Sequence, residues 1–517
     1  MAVVAEWVED EMKTLDLGDT RRDDRLKEVL GALAAQPCAS IPAAMKGGRA
    51  ETEAAYRLFE NDHFGFEEML NPHCEATLQR IAAEMVVIIA QDTTEIQLTR
   101  PQTQVAGAGP LDEGARRGCL LHVQHVFTPE LVPLGSIAAE TWVRQEAPRT
   151  RAAKATAAER RQERLQTPIE EKESHRWVEG VRFAHRIAGL TPGTEIVSVS
   201  DSEADIYELL VAAQLPELAT ESETCVADGQ TAFPPRAQWI VRGCQDRALL
   251  RDLSSQASAD NDGGTPSDVA LRTVLEQVAA APVRKTYEVK VRGRDPKVCC
   301  ETRGRRQARE SRTATVELRA CPVTLRAPHR HDRKLPAVRL NLVLVREVNP
   351  PRGEQPIEWL LLTSLPIRTA DESLRVVTLY ACRWQIEVYF RVLKQGCRIE
   401  ARRFETIDNL WRYLAVAMII SWRTLYVMRL GRESPDLSCE AVFDVSEWKA
   451  VYQVTQRKFP PRTPPRLGDF VRMVGQLGGF VNRGKGAMPG AETIWKGLQR
   501  MHDMALCWDA FGPDSSH

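Results

Sequence analysis

The sequence predicts a multidomain α/β protein with helical ends. Three observations lead to that class. The chain has 517 residues, too many for one hydrophobic core. Short β-branched runs at 85–90 (MVVIIA) and 195–200 (EIVSVS) read as buried strands, and each leads into an aspartate. Helical patterns with charged faces occupy residues 1–80 and the stretch from Gly431 onward.

In chain order, residues 1–80 read as a small helical domain. A helix starts at Asp16 to Asp19 and carries Arg21, Arg22, Arg25 and Lys27, and a second covers 50–59 (AETEAAYRLF). Basic helices of this kind suit docking on DNA. Residues 81–205 hold the first core strands: 85–90, leading into Gln91-Asp92-Thr93-Thr94, then 119–127 and 134–142, then 195–200, leading into Asp201 and a helix at 204–213. Asp92 and Asp201 thus take equivalent places at strand ends. The Ala/Arg/Gln/Glu-rich segment 147–173 reads as a charged helix or a mobile loop.

Residues 206–350 read as a β-rich insertion, because alternating runs such as 315–319 and 338–345 suit an antiparallel sheet. Asn349-Pro350-Pro351-Arg352-Gly353 is a turn out of it. Residues 351–430 open on the buried strand 359–364 (WLLLTS) and continue as a long helical stretch from Asp371. Residues 431–517 are helical, with connections at Pro460-Pro461, Pro464-Pro465 and Gly478-Gly479. They close on an amphipathic helix at 492–508 carrying Ile494, Trp495, Leu498 and Met501.

Composition narrows the function. A net charge of −1 excludes a uniformly basic DNA-coating protein. The basic charge is gathered instead: residues 284–339 hold 17 Lys and Arg against 6 Asp and Glu, including Arg303, Arg305, Arg306, Arg309 and Arg312. That is the footprint of a polyanionic partner. The 12 cysteines contain no Cys-x2-Cys or Cys-x4-Cys pair, so reduced thiols are expected rather than a zinc site or disulfides. His122, His125, His175, His329 and His331 show no metal-ligand spacing. The first residues, MAVVAEWVEDEMK, lack a basic segment followed by an apolar run, and the apolar stretch 414–420 is too short to span a bilayer. A cytoplasmic protein without membrane contact is expected, with that stretch in a buried helix.

The chemistry centres on the helix near Tyr380. At 100° per residue, Tyr380, Arg383, Glu387 and Lys394 fall within an arc of about 60°, bordering an apolar stripe of Leu379, Ile386 and Leu393. An exposed Arg–Glu pair at i, i+4 has the same pattern and little energetic weight. Asp92 and Asp201 change the reading. Two divalent ions ~3.5–4 Å apart need several carboxylates from different elements. Arg383 and Lys394 beside such a centre would face DNA phosphates.

The run Tyr380-x2-Arg383-x3-Glu387-x6-Lys394 resembles the Tyr-Arg-Glu-Lys motif of bacterial insertion-sequence transposases, the insertion-sequence-four group that includes the transposon-five enzyme. Further segments agree in order: Leu17-Gly18-Asp19 with Arg21-Arg22, Asp92-Thr93-Thr94, Asp201-Ser-Glu-Ala-Asp205-Ile206, Trp359-Leu-Leu-Leu-Thr-Ser364 and Leu477-Gly-Gly-Phe480. The resemblance implies a ribonuclease-H-like core split by a β insertion, with a DNA-binding domain before it and a dimerisation domain after it. It implies a catalytic DDE triad of Asp92, Asp201 and Glu387 holding two Mg²⁺ ions, for which Mn²⁺ substitutes. By the same resemblance Tyr380, Arg383 and Lys394 hold the DNA end, Trp359 stacks on a flipped base and Arg242 lies on a DNA-contacting strand. Ser202 stands where the family often has Arg, and Asp205 competes with Asp201 as the second acid.

The expected function is cut-and-paste transposition. A homodimer would bind double-stranded terminal inverted repeats, nick, form and reopen a hairpin, and join the freed end to target DNA. Three rivals stand beside it: an end-binding regulator without catalysis, a nuclease on the same core, and a carboxylate-pair glycosidase. Intact acids speak against the first and the basic cluster against the third. A strand-transfer assay separates the second.

Overall fold

The computed structural model describes residues 5–513 apart from 46–47, 101–104, 113, 146–165, 215–235, 251–271, 292, 294–296, 299–304, 307–309, 331–332, 483 and 485. Most of the charged segment expected at 147–173 lies outside the described residues, as do Arg303, Arg309 and the side chains of Arg305 and Arg306. The chain divides into two compact units. The first comprises Met1–Lys154, Thr191–Glu195 and Cys382–His517, the second Ala155–Leu190 and Ile196–Ala381.

The first unit opens with helices Glu6–Glu11, Thr20–Ala35, Ile41–Ala44, Arg49–Phe59 and Phe66–Ala82. Asp19 caps the second by accepting from the Arg21 amide, which satisfies one of the amides a helix start leaves unpaired. Leu26, Val29, Leu30 and Leu33 recur at helical spacing and are buried. The basic residues expected to face DNA are paired locally: Arg25 with Glu28, and Lys27 with Glu9 at 2.5 Å. Surface pairs of this kind are weak and yield to a stronger anion.

Four strands follow: β1 (Val86–Gln97), β2 (Gly109–Pro110), β3 (Arg117–Phe127) and β4 (Pro133–Trp142). β1 and β4 both run antiparallel to β3. The expectation that β1 ends before Asp92 is corrected here. Thr93, Thr94 and the buried Ile96 are β-branched and keep the ladder going to Gln97, so Asp92 sits within the strand, opposite Val123.

The long helix Ile407–Glu433 fills the core of this unit. Its length and apolarity would let it cross a membrane, yet 78% of its apolar window is buried within the protein, as suits a core helix. Two buried arginines fasten the N-terminal helices to this part of the unit. Arg412 donates to the carbonyls of Phe64 and Phe59 and to Asp62, and Arg402 donates to the carbonyls of Pro37, Ala39 and Cys397. Burial of a guanidinium is tolerable only when its donors are met, and here carbonyls meet them. The C-terminal helices are Val445–Gln456, Leu467–Leu477 and Ala491–Phe511. A Cβ at Gly478 would stand 1.8 Å from the Thr493 carbonyl oxygen, and one at Gly497 2.0 Å from that of Val474, so these glycines let the last two helices close on each other.

The second unit contains helices His175–Leu190, Tyr207–Ala212, Val274–Ala280 and Ala370–Ala381. Its strands are β5 (Glu195–Ser200), β6 (Gln238–Arg242), β7 (Val283–Val291), a short ribbon of β8 (Lys297–Val298) with β9 (Arg305–Arg306), then β10 (Arg312–Leu325), β11 (Val338–Glu347) and β12 (Glu358–Thr363). The main sheet runs β5-β6-β12-β11-β10-β7, with β5 and β6 parallel and the rest antiparallel. The strands read as an insertion therefore continue the same sheet as β5 and β6, because β12 pairs with β11 on one edge and β6 on the other. Asn349 at φ 53° and Gly353 at φ 85° shape the turn between β11 and β12.

Candidate active site

In the first unit two distant carboxylates meet on one guanidinium. Arg383 Nη1 lies 3.1 Å from Asp92 Oδ2 and its Nη2 2.8 Å from Glu387 Oε1. The side chains of Asp92 and Arg383 are only 15% and 11% exposed, that of Glu387 35%. Asp92 Oδ1 also accepts from the Thr93 amide at 2.8 Å. The planar fork of arginine fixes the two acids in direction as well as distance.

Sequence periodicity explains why Asp92 and Glu387 come together. Val87, Ile88, Ile89 and Ala90 are fully buried and hold β1 in the core. Ile386, Tyr389 and Phe390 bury the inner face of helix Trp384–Arg391, leaving Glu387 on its flank. Tyr389 stacks on His125, with ring centroids 4.2 Å apart at 31°. His125 stands opposite Ala90 in the ladder, so the stack fastens the Glu387 helix to the strand pair that carries Asp92.

The single helix expected from Tyr380 to Lys394 is not continuous. Helix Ala370–Ala381 ends before Cys382, helix Trp384–Arg391 follows, and Val392–Gly396 forms a π turn that bears Lys394. The common stripe computed for one straight helix therefore does not hold. Tyr380 belongs to the second unit, while Arg383, Glu387 and Lys394 belong to the first. The Lys394 ammonium lies 3.9 Å from Glu400. Such π turns are frequent at functional sites.

In the second unit Asp201 directly follows β5 and caps the turn Ser202–Ala204, accepting from the Glu203 amide at 2.8 Å. β5 and β6 are parallel with Ser200 beside Val241, so Asp201 and Arg242 leave the sheet side by side. On the next strand Leu361 pairs with Arg242, which brings Trp359 toward the same end. Trp359 is half-buried and meets Tyr380 edge-on, centroids 5.3 Å apart at 73°. Asp201, Arg242, Trp359 and Tyr380 thus gather at one end of this unit's sheet.

Asp205 is occupied by a structural task. Its side chain is fully buried, pairs with Arg247 at 2.6 Å, and accepts from the Cys244 and Gln245 amides at 2.8 Å each. Few lone pairs remain for a ligand. Asp201, half-exposed, is the acid open to one.

Sequence reasoning missed a buried polar network behind the first set. His73 Nδ1 lies 2.5 Å from Glu11 Oε1, and its Nε2 accepts from the Ser136 amide at 2.9 Å. The amide can only donate, so Nε2 is unprotonated and Nδ1 carries the hydrogen given to Glu11. Burial depresses the His73 pKa, against the opposing pull of Glu11. Burial would raise the Glu11 carboxyl, but His73 and Arg80 together hold it below its ordinary value. Ser136 Oγ lies 2.9 Å from His125 Nδ1 and 3.4 Å from Tyr389 OH, so the network reaches the ring that seats the Glu387 helix. No periodicity announces it, since its members come from five separate segments.

The donor set fits a hard divalent cation in kind. Carboxylate oxygens are its preferred ligands, and two acids drawn together by a cation would be drawn together equally by a metal. Among the described residues, no group of three or more His, Cys, Asp or Glu is assembled as a metal cage.

Family models match the chain in three successive stretches: a transposase DNA-binding domain over residues 4–64, a transposase DDE domain over 185–422, and the Tn5 transposase dimerisation domain over 419–507. Among solved structures, the chain is similar to a piggyBac transposase in a synaptic complex with hairpin DNA. That match is 10% identical, covers 83% of this chain and 73% of the other, and has a TM-score of 0.34, a likeness too slight to carry a mechanism. The mixed α/β architecture, with helical regions at both ends, agrees with the ribonuclease-H-like core expected of such domains.

Proposed function

Because the chain belongs to the Tn5-like DDE transposases, we propose that it moves a bacterial insertion sequence by a cut-and-paste route. As a DDE transposase it uses divalent metal, and we assign that role to two Mg²⁺ ions held by Asp92, Asp201 and Glu387. The observation that carries the reading is the convergence of Asp92 and Glu387, from a strand and a distant helix, on the Arg383 guanidinium.

When bound, the metal lowers the pKa of water or a 3′-hydroxyl and offsets charge on the departing oxygen. The chain's own residues do the rest. Tyr389 and His125 hold the Glu387 helix against β1. Arg383, whose fork holds Asp92 and Glu387, would also offer paired donors to a DNA phosphate brought to these acids. Lys394 adds a second cation toward the backbone, and Arg242 a third. Trp359, supported edge-on by Tyr380, offers an aromatic surface to a base leaving the stack. Residues 4–64 bind the terminal repeats, and residues 419–507 pair two copies so that both ends are held. The protein acts in the cytoplasm, on nucleoid DNA.

The test is reconstitution. A fragment carrying the sequence that flanks the gene, incubated with the full chain and Mg²⁺, should be nicked, converted to a hairpin, reopened and joined to a plasmid target. Binding without any cleavage would make the chain a regulator, and cleavage without joining would make it a nuclease.

A further inference from the structure

The connection between helices Val445–Gln456 and Leu467–Leu477 is chemically unusual. Its sequence, residues 457–466, is Arg-Lys-Phe-Pro-Pro-Arg-Thr-Pro-Pro-Arg. From 448 to 468 the chain has five cations, Lys449, Arg457, Lys458, Arg462 and Arg466, and no Asp or Glu. Phe459 in its middle is 80% exposed.

That exposure is built in. Phe459 and Thr463 each precede a proline, which excludes them from helical backbone, and four prolines fix φ along the six residues 460–465. Arg457 takes a left-handed φ of 54°, ending the first helix sharply and turning the chain outward. The far end is pinned: Arg466 pairs with Asp436 at 2.7 Å, the Cys439 amide donates to the Pro465 carbonyl at 3.0 Å, and the Leu467 amide to that of Leu437 at 2.7 Å. Among the described residues Arg457, Lys458 and Arg462 have no ion-pair partner. A stiff loop therefore presents an aromatic ring between cations that the protein itself leaves unneutralised.

We propose that residues 457–466 form a DNA-contacting surface, in which Arg457, Lys458 and Arg462 meet phosphates and Phe459 wedges against the bases of a duplex. The inference rests on the reading that the chain acts on DNA, and extends contact to a segment outside the residues matched to a DNA-binding model. Charge decides the occupant. The loop lies within the stretch matched to a dimerisation domain, but a two-fold contact of this loop with its own copy would set the same cations against each other, whereas a polyanion is complementary along the whole loop. Apolar wedges flanked by Arg or Lys are a recurrent way of bending duplex DNA from its minor groove. The rigid backbone leaves little entropy to lose on binding.

The experiment measures binding of the full chain to a labelled mixed-sequence duplex by fluorescence anisotropy across a series of NaCl concentrations. Lys458→Ala/Arg462→Ala should make the plot of log K against log salt shallower by about two, at roughly 0.9 per phosphate contact. Phe459→Ala should keep the slope and weaken binding by at least about fivefold. None of the three side chains supports the core, so folding is unaffected. An unchanged slope in the double variant together with unchanged affinity in Phe459→Ala overturns the proposal. So does an unchanged slope accompanied by lost self-association in sedimentation, which would give the loop to a second copy. Cleavage of the flanking-sequence fragment is followed separately: wild type that binds duplex through this loop but never cleaves defeats the transposase reading and leaves the loop assignment standing.

Discussion

Asp92 and Glu387 share one counter-ion, the guanidinium of Arg383, at 3.1 and 2.8 Å. The arrangement has an energetic consequence. Arg383 offsets the repulsion between the two carboxylates, and on the proposed reading a metal held by the same oxygens would compete with its charge. Arg383→Gln should lower the stability of the metal-free protein by about 1–3 kcal/mol, less than a fully buried pair would lose because Glu387 is partly exposed. Added Mg²⁺ should then raise the melting temperature more in the variant than in wild type, read by thermal denaturation. Equal metal-induced shifts would separate Arg383 from the metal-binding oxygens.

The acids themselves are tested by cleavage and binding together. Asp92→Ala, Asp201→Ala and Glu387→Ala should each abolish cleavage of an end fragment while leaving its mobility shift nearly intact, because the matched DNA-binding stretch at 4–64 excludes all three. A variant that cleaves at the wild-type rate removes its residue from the site.

Asp201 and Asp205 have opposite fates, though they are four residues apart. Asp205→Asn leaves the Arg247 guanidinium facing a neutral group in a buried site, and should cost about 3–5 kcal/mol, seen as a lower urea midpoint. Asp201→Asn removes a half-exposed carboxylate and should leave that midpoint unchanged while eliminating cleavage. If Asp205→Asn is stable and inactive and Asp201→Asn active, the assignment of the second acid reverses.

These contrasts mark where the sequence was legible. Period-two and β-branched runs gave β3, β4, β5 and β12 nearly to the residue, since burial of such strands writes itself into local composition. The place of Asp201 was legible because it directly follows the β5 run, whereas β1 continues past Asp92 to Gln97. The break at Cys382 and Arg383 was not, since Leu379, Ile386 and Leu393 keep helical spacing across it and no Pro or Gly interrupts the segment. Nor was the continuity of the sheet strands within the second unit, because β6 to β12 pairing links segments more than a hundred residues apart. The Glu11–His73–Ser136 network depends on such long-range contacts throughout, and each member alone looks like an ordinary helix or strand residue.

Burial of His125 gives a pH signature. Its pKa is pushed well below the ordinary imidazole value, chiefly by desolvation, with His73 and Arg80 adding to the shift. The unfolded chain takes up a proton near pH 6.5 that the folded one refuses, so stability is full above that pH and is lost as pH falls. His125→Phe keeps an aromatic ring against Tyr389 and removes the titration. Between pH 7.5 and 5.5, wild type should lose about 1.4 kcal/mol more than the variant, the value of one proton over the unit below 6.5. Urea unfolding of both proteins at the two pH values measures the difference, in which every other titrating group cancels. Identical losses would mean that the folded protein protonates His125 freely.

Trp359 offers a last prediction, about the order of chemical steps. Its ring meets Tyr380 edge-on at 5.3 Å and is only half-buried, so it is neither a sealed core residue nor a loose surface one. Trp359→Ala forfeits the edge-to-face contact, at about 0.5–1.5 kcal/mol, and some buried area. A duplex end closed into a hairpin must also expel a base, at roughly a few kcal/mol, and an aromatic face returns about 1–3 kcal/mol of it. The variant should therefore nick at nearly the wild-type rate but form and reopen hairpins about 5- to 150-fold more slowly, the same energy expressed as a rate. Trp359→Phe retains a stacking face and should recover much of the loss. Nicking, hairpin formation and melting temperature are followed in both variants. A role confined to packing slows both chemical steps alike and lowers the melting temperature in proportion, and that pattern would remove base stacking from Trp359.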